Sequence, residues 1–192
     1  VLVEQLQALV DEIVDDVRRR ETHRTIAGLA RDRTHDERVA EVHFRAILEL
    51  EPSDMAALDA LIALYREVEN TESLVDMLLL KVPMLSDLEQ KVALTLEAGT
   101  LSSDVLSKPR KAIEIFEGLQ QLDPSRDTAL DHLEGLYAEV QDWESLVHVY
   151  RQRIDRADDL AIKKQVAGLM AGVQSGPQEA IDDAIGTWRQ VL

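Results

Sequence analysis

The chain matches itself when slid so that Pro52 falls on Pro124, and that self-similarity limits its possible folds more than any other feature. Pro124 follows Pro52 by 72, Tyr137 follows Tyr65, and Leu130 and Leu133 follow Leu58 and Leu61 at the same interval. Two further motifs recur three times. Leu2-Val3, Leu74-Val75 and Leu146-Val147 share the spacing, with Val10, Val82 and Ile154 in register behind them; Ala40, Ala112 and Ala184 are each followed four positions later by Phe44, Phe116 or Trp188. A slip of one residue would turn an apolar stripe by about 100° around a helix, so apolar identities kept over such a shift define a repeated structural unit. Leu74 stands 34 positions after Ala40 and Ala112 stands 38 after Leu74, which divides each unit into two helical hairpins, one slightly longer.

Taken in order, Leu2, Leu6, Leu9, Val10, Ile13, Val14 and Val17 make one helical stripe, and the polar run Arg18-Arg19-Arg20 leads into a weaker helix carrying Ile26, Leu29 and Ala30. A third helix begins near Glu37 and stops before Pro52, because the residue ahead of a proline disfavours the α region. Ser53 is placed to cap the next helix, with Leu58, Leu61, Ile62, Tyr65 and Val68 inward. Asn70-Thr71 break it, and a helix with Leu74, Val75, Leu78, Leu79 and Val82 runs to Pro83. Ser86-Asp87 open a helix that fades near Ser107, and Lys108-Pro109 start the next. The stretch from Leu119 to Arg156 supplies a proline turn and two amphipathic helices; Asp158-Asp159 cap another, and Gly176-Pro177 precede the last.

The pattern Ala112, Phe116, Leu119, Pro124, then Leu130, Leu133 and Tyr137, with its earlier copy Ala40, Phe44, Ile47, Pro52, Leu58, Leu61 and Tyr65, resembles the tetratricopeptide repeat, in a bacterial-type arrangement whose double repeat has the period just described. The small glycine usual on the first helix of that motif is Ile62 in one copy and Glu134 in the other. The resemblance implies an all-α, right-handed α-solenoid of about eleven helices, read here as a single array over residues 1–192. Its parts would be a partial unit at 1–36, units at about 37–108 and 109–180, and a partial helix at 181–192. The resemblance also implies a concave groove lined by first helices, whose positions here are read as Asp59, Ala63, Arg66 and Glu67 in one unit and Asp131, His132, Gly135 and Glu139 in the next. These are mostly acidic or small, which disfavours the family's clamp for a carboxylate-ended peptide and favours a basic or amphipathic one. Solenoid hairpins lean on their neighbours. The next proline of the series would fall at 196 and no helix precedes residues 2–11, so a slice of a longer array, or end-to-end self-association, is expected.

The charge balance agrees with that reading. With 37 acidic and 21 basic residues the net charge is -16, a field that repels nucleic acid and anionic membrane. From Arg18 to Arg45 eight arginines stand against five acids, a local +3, but no aromatic residue interleaves them before Phe44, so mutual pairing with acidic faces is expected over a nucleic-acid patch. Seven aromatic residues leave the core to Leu, Ala, Val and Ile. No apolar run could span a bilayer. The absence of cysteine leaves no disulfide or thiolate metal site and is compatible with cytoplasm, which is favoured, or periplasm.

No catalytic constellation is legible. The five histidines occupy unrelated slots of the repeat, with no HxxxH pair, and read as surface or rim residues. Asp15-Asp16, Asp158-Asp159 and Asp182-Asp183 read as helix-start acids, and Trp143 and Trp188 as structural. No phosphate loop or nucleophile arrangement appears, and no cofactor or metal is implied. The expected function is therefore a non-enzymatic scaffold that binds a protein or peptide partner; the alternative is a structural spacer or oligomerisation segment without a groove ligand.

Overall fold

The computed structural model describes residues 2–176 and 181–191, apart from the side chains of 181, 182, 188, 190 and 191; the expectations placed on Pro177, Asp182 and Trp188 lie outside what it describes. Its described residues form eleven α-helices and no strand. They fall into two units, Val1–Leu94 and Thr95–Leu192.

The first unit holds α1 (Leu2–Val10), α2 (Asp16–Leu29), α3 (Glu37–Leu50), α4 (Met55–Glu67), α5 (Thr71–Lys81) and the start of α6 (Leu88–Thr100). From α1 to α5 each helix packs on the next. Carboxylate or amide side chains set the starts: Asp15, Asp36, Asp54, Asn70 and Asp87 each accept a hydrogen bond from the backbone N–H three positions on, worth about 1 kcal/mol per cap. Two sequence expectations shift as a result. The break after the first helix falls at residues 11–15, not at the arginine run, because Asp15 captures the Arg18 N–H and carries α2 straight through Arg18–Arg20. Asp54 replaces Ser53 as the cap of α4, since the Ser53 hydroxyl donates to Glu51 instead. The apolar stripe of the first helix is also less buried than its spacing implies: Val10 is enclosed, whereas Leu2, Leu9 and Val17 are exposed and Val14 is 93% exposed.

The second unit holds the end of α6, α7 (Pro109–Leu122), α8 (Thr128–Glu139), α9 (Trp143–Arg156), α10 (Leu160–Ser175) and α11 (Ile181–Val191), with contacts from α7 to α8, α8 to α9, α9 to α10 and α10 to α11. Pro109 stands at the first turn of α7, where its missing N–H costs nothing. Asp142 and Asp159 cap α9 and α10.

Backbone detail repeats with the sequence period. α4 and α8 both end in Schellman motifs: Asn70 N–H bonds Tyr65 C=O and Asp142 N–H bonds Tyr137 C=O, each at 2.9 Å, with Glu69 (φ 55°) and Gln141 (φ 61°) in the left-handed region. The residue that closes each motif is also the cap of the next helix, so one turn ends a helix and starts its partner. α2 and α6 each end in a π-helical turn, Ala30–Thr34 and Leu101–Val105. Beyond those turns Asp36 N–H reaches Ala30 C=O and Lys108 N–H reaches Ser102 C=O, with His35 (φ 50°) and Ser107 (φ 51°) left-handed. The slots identified as apolar are the core: Ala40, Ala112 and Ala184, Leu58 and Leu130, Leu61 and Leu133, Leu74 and Leu146 are all buried. Each such leucine contributes about 1.5–3 kcal/mol of transfer free energy.

Candidate protein-interaction surface

Residues four apart share a helix face, so Asp59, Ala63 and Glu67 form one stripe along α4, and Asp131, Gly135 and Glu139, each one repeat later, form the same stripe along α8. Both are the helices that follow the proline turns at Pro52 and Pro124. All six stripe residues are exposed, as is Arg66. The acid at the start of each stripe is tied to the following helix: Asp59 pairs with Lys81 of α5, and Asp131 with Arg153 of α9, two cations in the same slot of the repeat. Arg153 also reaches Glu134 at 3.1 Å. The acids at the far end, Glu67 and Glu139, remain on the open face. Between them lies a small residue, and nothing comes within 4 Å of a Cβ built at Gly135. A helix glycine costs about 0.5–1 kcal/mol relative to alanine, and no neighbour inside the unit requires it there.

His132 lies elsewhere. Its ring stacks on Phe116 of α7, centroids 4.3 Å apart and planes 2° from parallel, which puts it between helices and not on the stripe. The structure thus gathers Asp59, Ala63 and Glu67 in one unit and Asp131, Gly135 and Glu139 in the other, and turns His132 inward.

Five arginines of the first unit are paired with acids. Arg19 pairs with Asp16, Arg20 with Glu51, Arg24 with Asp54 and Arg31 with Asp32. Arg45 lies 3.1 Å from Glu41, and its Nε donates to the Tyr65 hydroxyl, which itself donates to Glu41 at 2.7 Å.

All three tyrosines point a hydroxyl at a carboxylate: Tyr65 at Glu41, Tyr137 at Glu117 (2.6 Å) and Tyr150 at Glu134 (3.3 Å). Burial first, and then the neighbouring carboxylate, pushes Tyr65 and Tyr150 up to about 12, and raises Tyr137 as well. The native chain therefore holds these protons where the unfolded chain, at an ordinary value of 10.0, gives them up. Stability from this source is complete below pH 10 and lost as pH rises toward the native values. A spectrophotometric titration at 295 nm should show little tyrosinate in the folded protein at pH 10.5 and a large step on adding urea; half-ionised tyrosine in the native state at that pH would contradict the geometry.

Two histidines correct the reading of that residue type as surface. His23 on α2 is 8% exposed and His43 on α3 is 5% exposed, with their Nδ1 atoms 2.7 Å apart. The Gln7 amide donates to His43 Nε2 at 3.3 Å, so His43 carries its proton on Nδ1 and donates it to His23. The signal was present in the repeat: one period later these slots hold Thr95 and Ile115, both buried.

Among the described residues no three His, Cys, Asp or Glu side chains are grouped to hold a metal ion, and no helix is long and apolar enough to cross a membrane. Helix hairpins joined by short capped turns, with buried alanines and aromatic residues at the period of the sequence, make the described residues an all-α helical repeat. Solved structures of MamA are similar to it at 15% identity, one covering 90% of both chains with a TM-score of 0.44, another covering 86% of this chain and 92% of that one with a TM-score of 0.44. PilF of Pseudomonas aeruginosa is similar at 14% identity over 98% of this chain and 88% of that one, with a TM-score of 0.43. No family model matches the chain, and no curated protein matches it. These likenesses carry no conclusion about partner or activity.

Proposed function

We propose that the chain is a non-enzymatic protein-interaction scaffold that takes a basic or amphipathic peptide or helix on acidic stripes, one on α4 and one on α8. The observation that supports this reading is the repeated stripe of acid, small residue and acid on those two helices, in which Glu67 and Glu139 stay open to solvent and the small residue lets a partner backbone approach. The same reading takes residues 37–108 and 109–180 as units of one array. Because Asp59 and Asp131 are already matched by Lys81 and Arg153, the outer acids are the ones that select charge.

A bait carrying Glu67→Lys and Glu139→Lys, with an unchanged circular dichroism spectrum, should lose at least about tenfold of whatever basic partner the wild-type bait retains, since like charges placed opposite one another cost several kcal/mol. Retention at the wild-type level would reject the acidic stripes. A second reading, a spacer or oligomerisation segment, is favoured by the exposed Leu2, Leu9, Val14 and Val17 around the α1–α2 turn. Concentration-dependent mass in light scattering that disappears when these are replaced by polar residues would favour it.

A further inference from the structure

Outside the stripes, the second unit contains an open concavity of about 1000 Å³ whose walls are the outward faces of α7 and α9. Its rim carries Asp183 of α11, and Gln174 of α10 reaches it from inside the unit. Gln174 is only 3% exposed, and its carbonyl accepts from the Thr187 hydroxyl at 2.9 Å, so what it offers the concavity is its amide N–H group. On the walls Gln120 donates to Gln152, and the Gln152 amide donates to His148 Nε2 at 2.7 Å. Glutamine side chains carry the same donor and acceptor pair as a peptide group. Three carboxylates, Glu117, Glu144 and Asp183, face one guanidinium, Arg151.

The repeat shows that packing does not demand these amides. One period earlier, the slots of Gln120 and Gln152 hold Leu48 and Leu80, and that of Arg151 holds Leu79. Leu48 is half-buried and Leu80 is 37% exposed, so the fold accepts an aliphatic side chain at both amide positions. The polar lining is thus particular to the second unit. A concavity of this size is at the upper end for ligand sites, and its surplus of negative charge selects a cation.

From these features we infer a second binding site in the second unit, on α7 and α9, for an extended peptide segment rich in lysine or arginine, its backbone paired with Gln120, Gln152 and Gln174 and its side chains with Glu117, Glu144 and Asp183. The amides favour a peptide over a polyamine, which has no carbonyl for the Gln174 N–H group.

The test is fluorescence anisotropy with a fluorescein-labelled peptide of alternating lysine and alanine, at low and moderate salt. Wild type should bind. Gln120→Leu with Gln152→Leu, which installs the residues of the first unit, should weaken binding about tenfold, the loss of one or two net hydrogen bonds. Glu144→Gln with Asp183→Asn should weaken it and flatten its salt dependence. In a Glu67→Lys, Glu139→Lys background, where the stripes no longer take a basic peptide, binding should persist and the losses from the leucine and amide variants should remain, which separates this site from the stripes. No binding by wild type, equal affinity in the double-leucine variant, or displacement by spermidine as effective as by unlabelled peptide would each overturn the inference.

Discussion

Gly99→Ala lowers the unfolding free energy by about 1–3 kcal/mol, the cost of overpacking a tight core, although alanine is the better helix former. A Cβ at this position would sit 2.6 Å from Cζ of Phe116, a ring with no exposed surface. His132 is stacked on the same ring and limits its room to move. The first unit shows what the alternative looks like: one period earlier, the slot of Gly99 holds Ala27, that of Phe116 holds Phe44 and that of His132 holds Ala60, all buried. The second unit has a ring where the first has a methyl at one neighbour of the aromatic residue, and no methyl at the other. His132→Ala alone should cost about 1 kcal/mol from the lost stacking, whereas Gly99→Ala with His132→Ala together restores the packing of the first unit and should recover most of the loss. Urea denaturation of the four proteins measures the coupling. Additivity to within about 0.5 kcal/mol, the behaviour of independent sites, would refute the compensated swap. Gly118→Ala is the control: nothing lies within 4 Å of its added Cβ, so it should be neutral or stabilising.

The second large effect is on pH. His23 and His43 share one proton across their Nδ1 contact, and a second proton would set N–H against N–H in a buried site. Burial lowers both below the ordinary 6.5; for His43 the neighbouring His23 adds to the effect, for His23 Arg19 does, and Asp11 and Glu49 oppose it. The unfolded chain takes up these protons below pH 6.5 while the native chain does not. Stability is therefore full above that value and falls as pH drops from 6.5 toward the lowered native values, by at most about 1.4 kcal/mol per histidine per pH unit. Carboxylic acids as a class titrate near about 4, so the window from pH 7 to 5.5 keeps them out of the comparison. His23→Thr with His43→Ile, the residues found at Thr95 and Ile115, should flatten the urea midpoint across that window. An unchanged slope in that variant would exclude the pair as its source.

Helix number, the aliphatic core and some caps, such as Asp87 and Asp159, were legible because they depend on residue type and period: Leu58 and Leu130 are leucines in the same slot and both are buried. Two kinds of feature were not legible. One is polar residues in apolar slots. His43 occupies the position of Ile115, and its polarity outweighed its position in a reading by residue type, although Gln7 and His23 satisfy it inside the fold. The other is compensation between distant positions. The motif glycine is missing at Ile62 and Glu134, and the close packing of Gly99 on α6 is visible only with Phe116 and His132 in place. The positions on α4 and α8 came from the resemblance, and their sorting into an acid held by Lys81 or Arg153 and an open acid needed the helix that follows each of them.

The π-helical turns at Ala30–Thr34 and Leu101–Val105 bear on how such a chain grows. A π turn closes i→i+5 bonds and so widens the last turn of a helix. Here it ends α2 and α6 but neither α4 nor α8. The unit that repeats is therefore a block of two unlike hairpins, so a change of length that keeps the pattern adds or removes four helices, with joints at His35 and Ser107 where the backbone already turns alike.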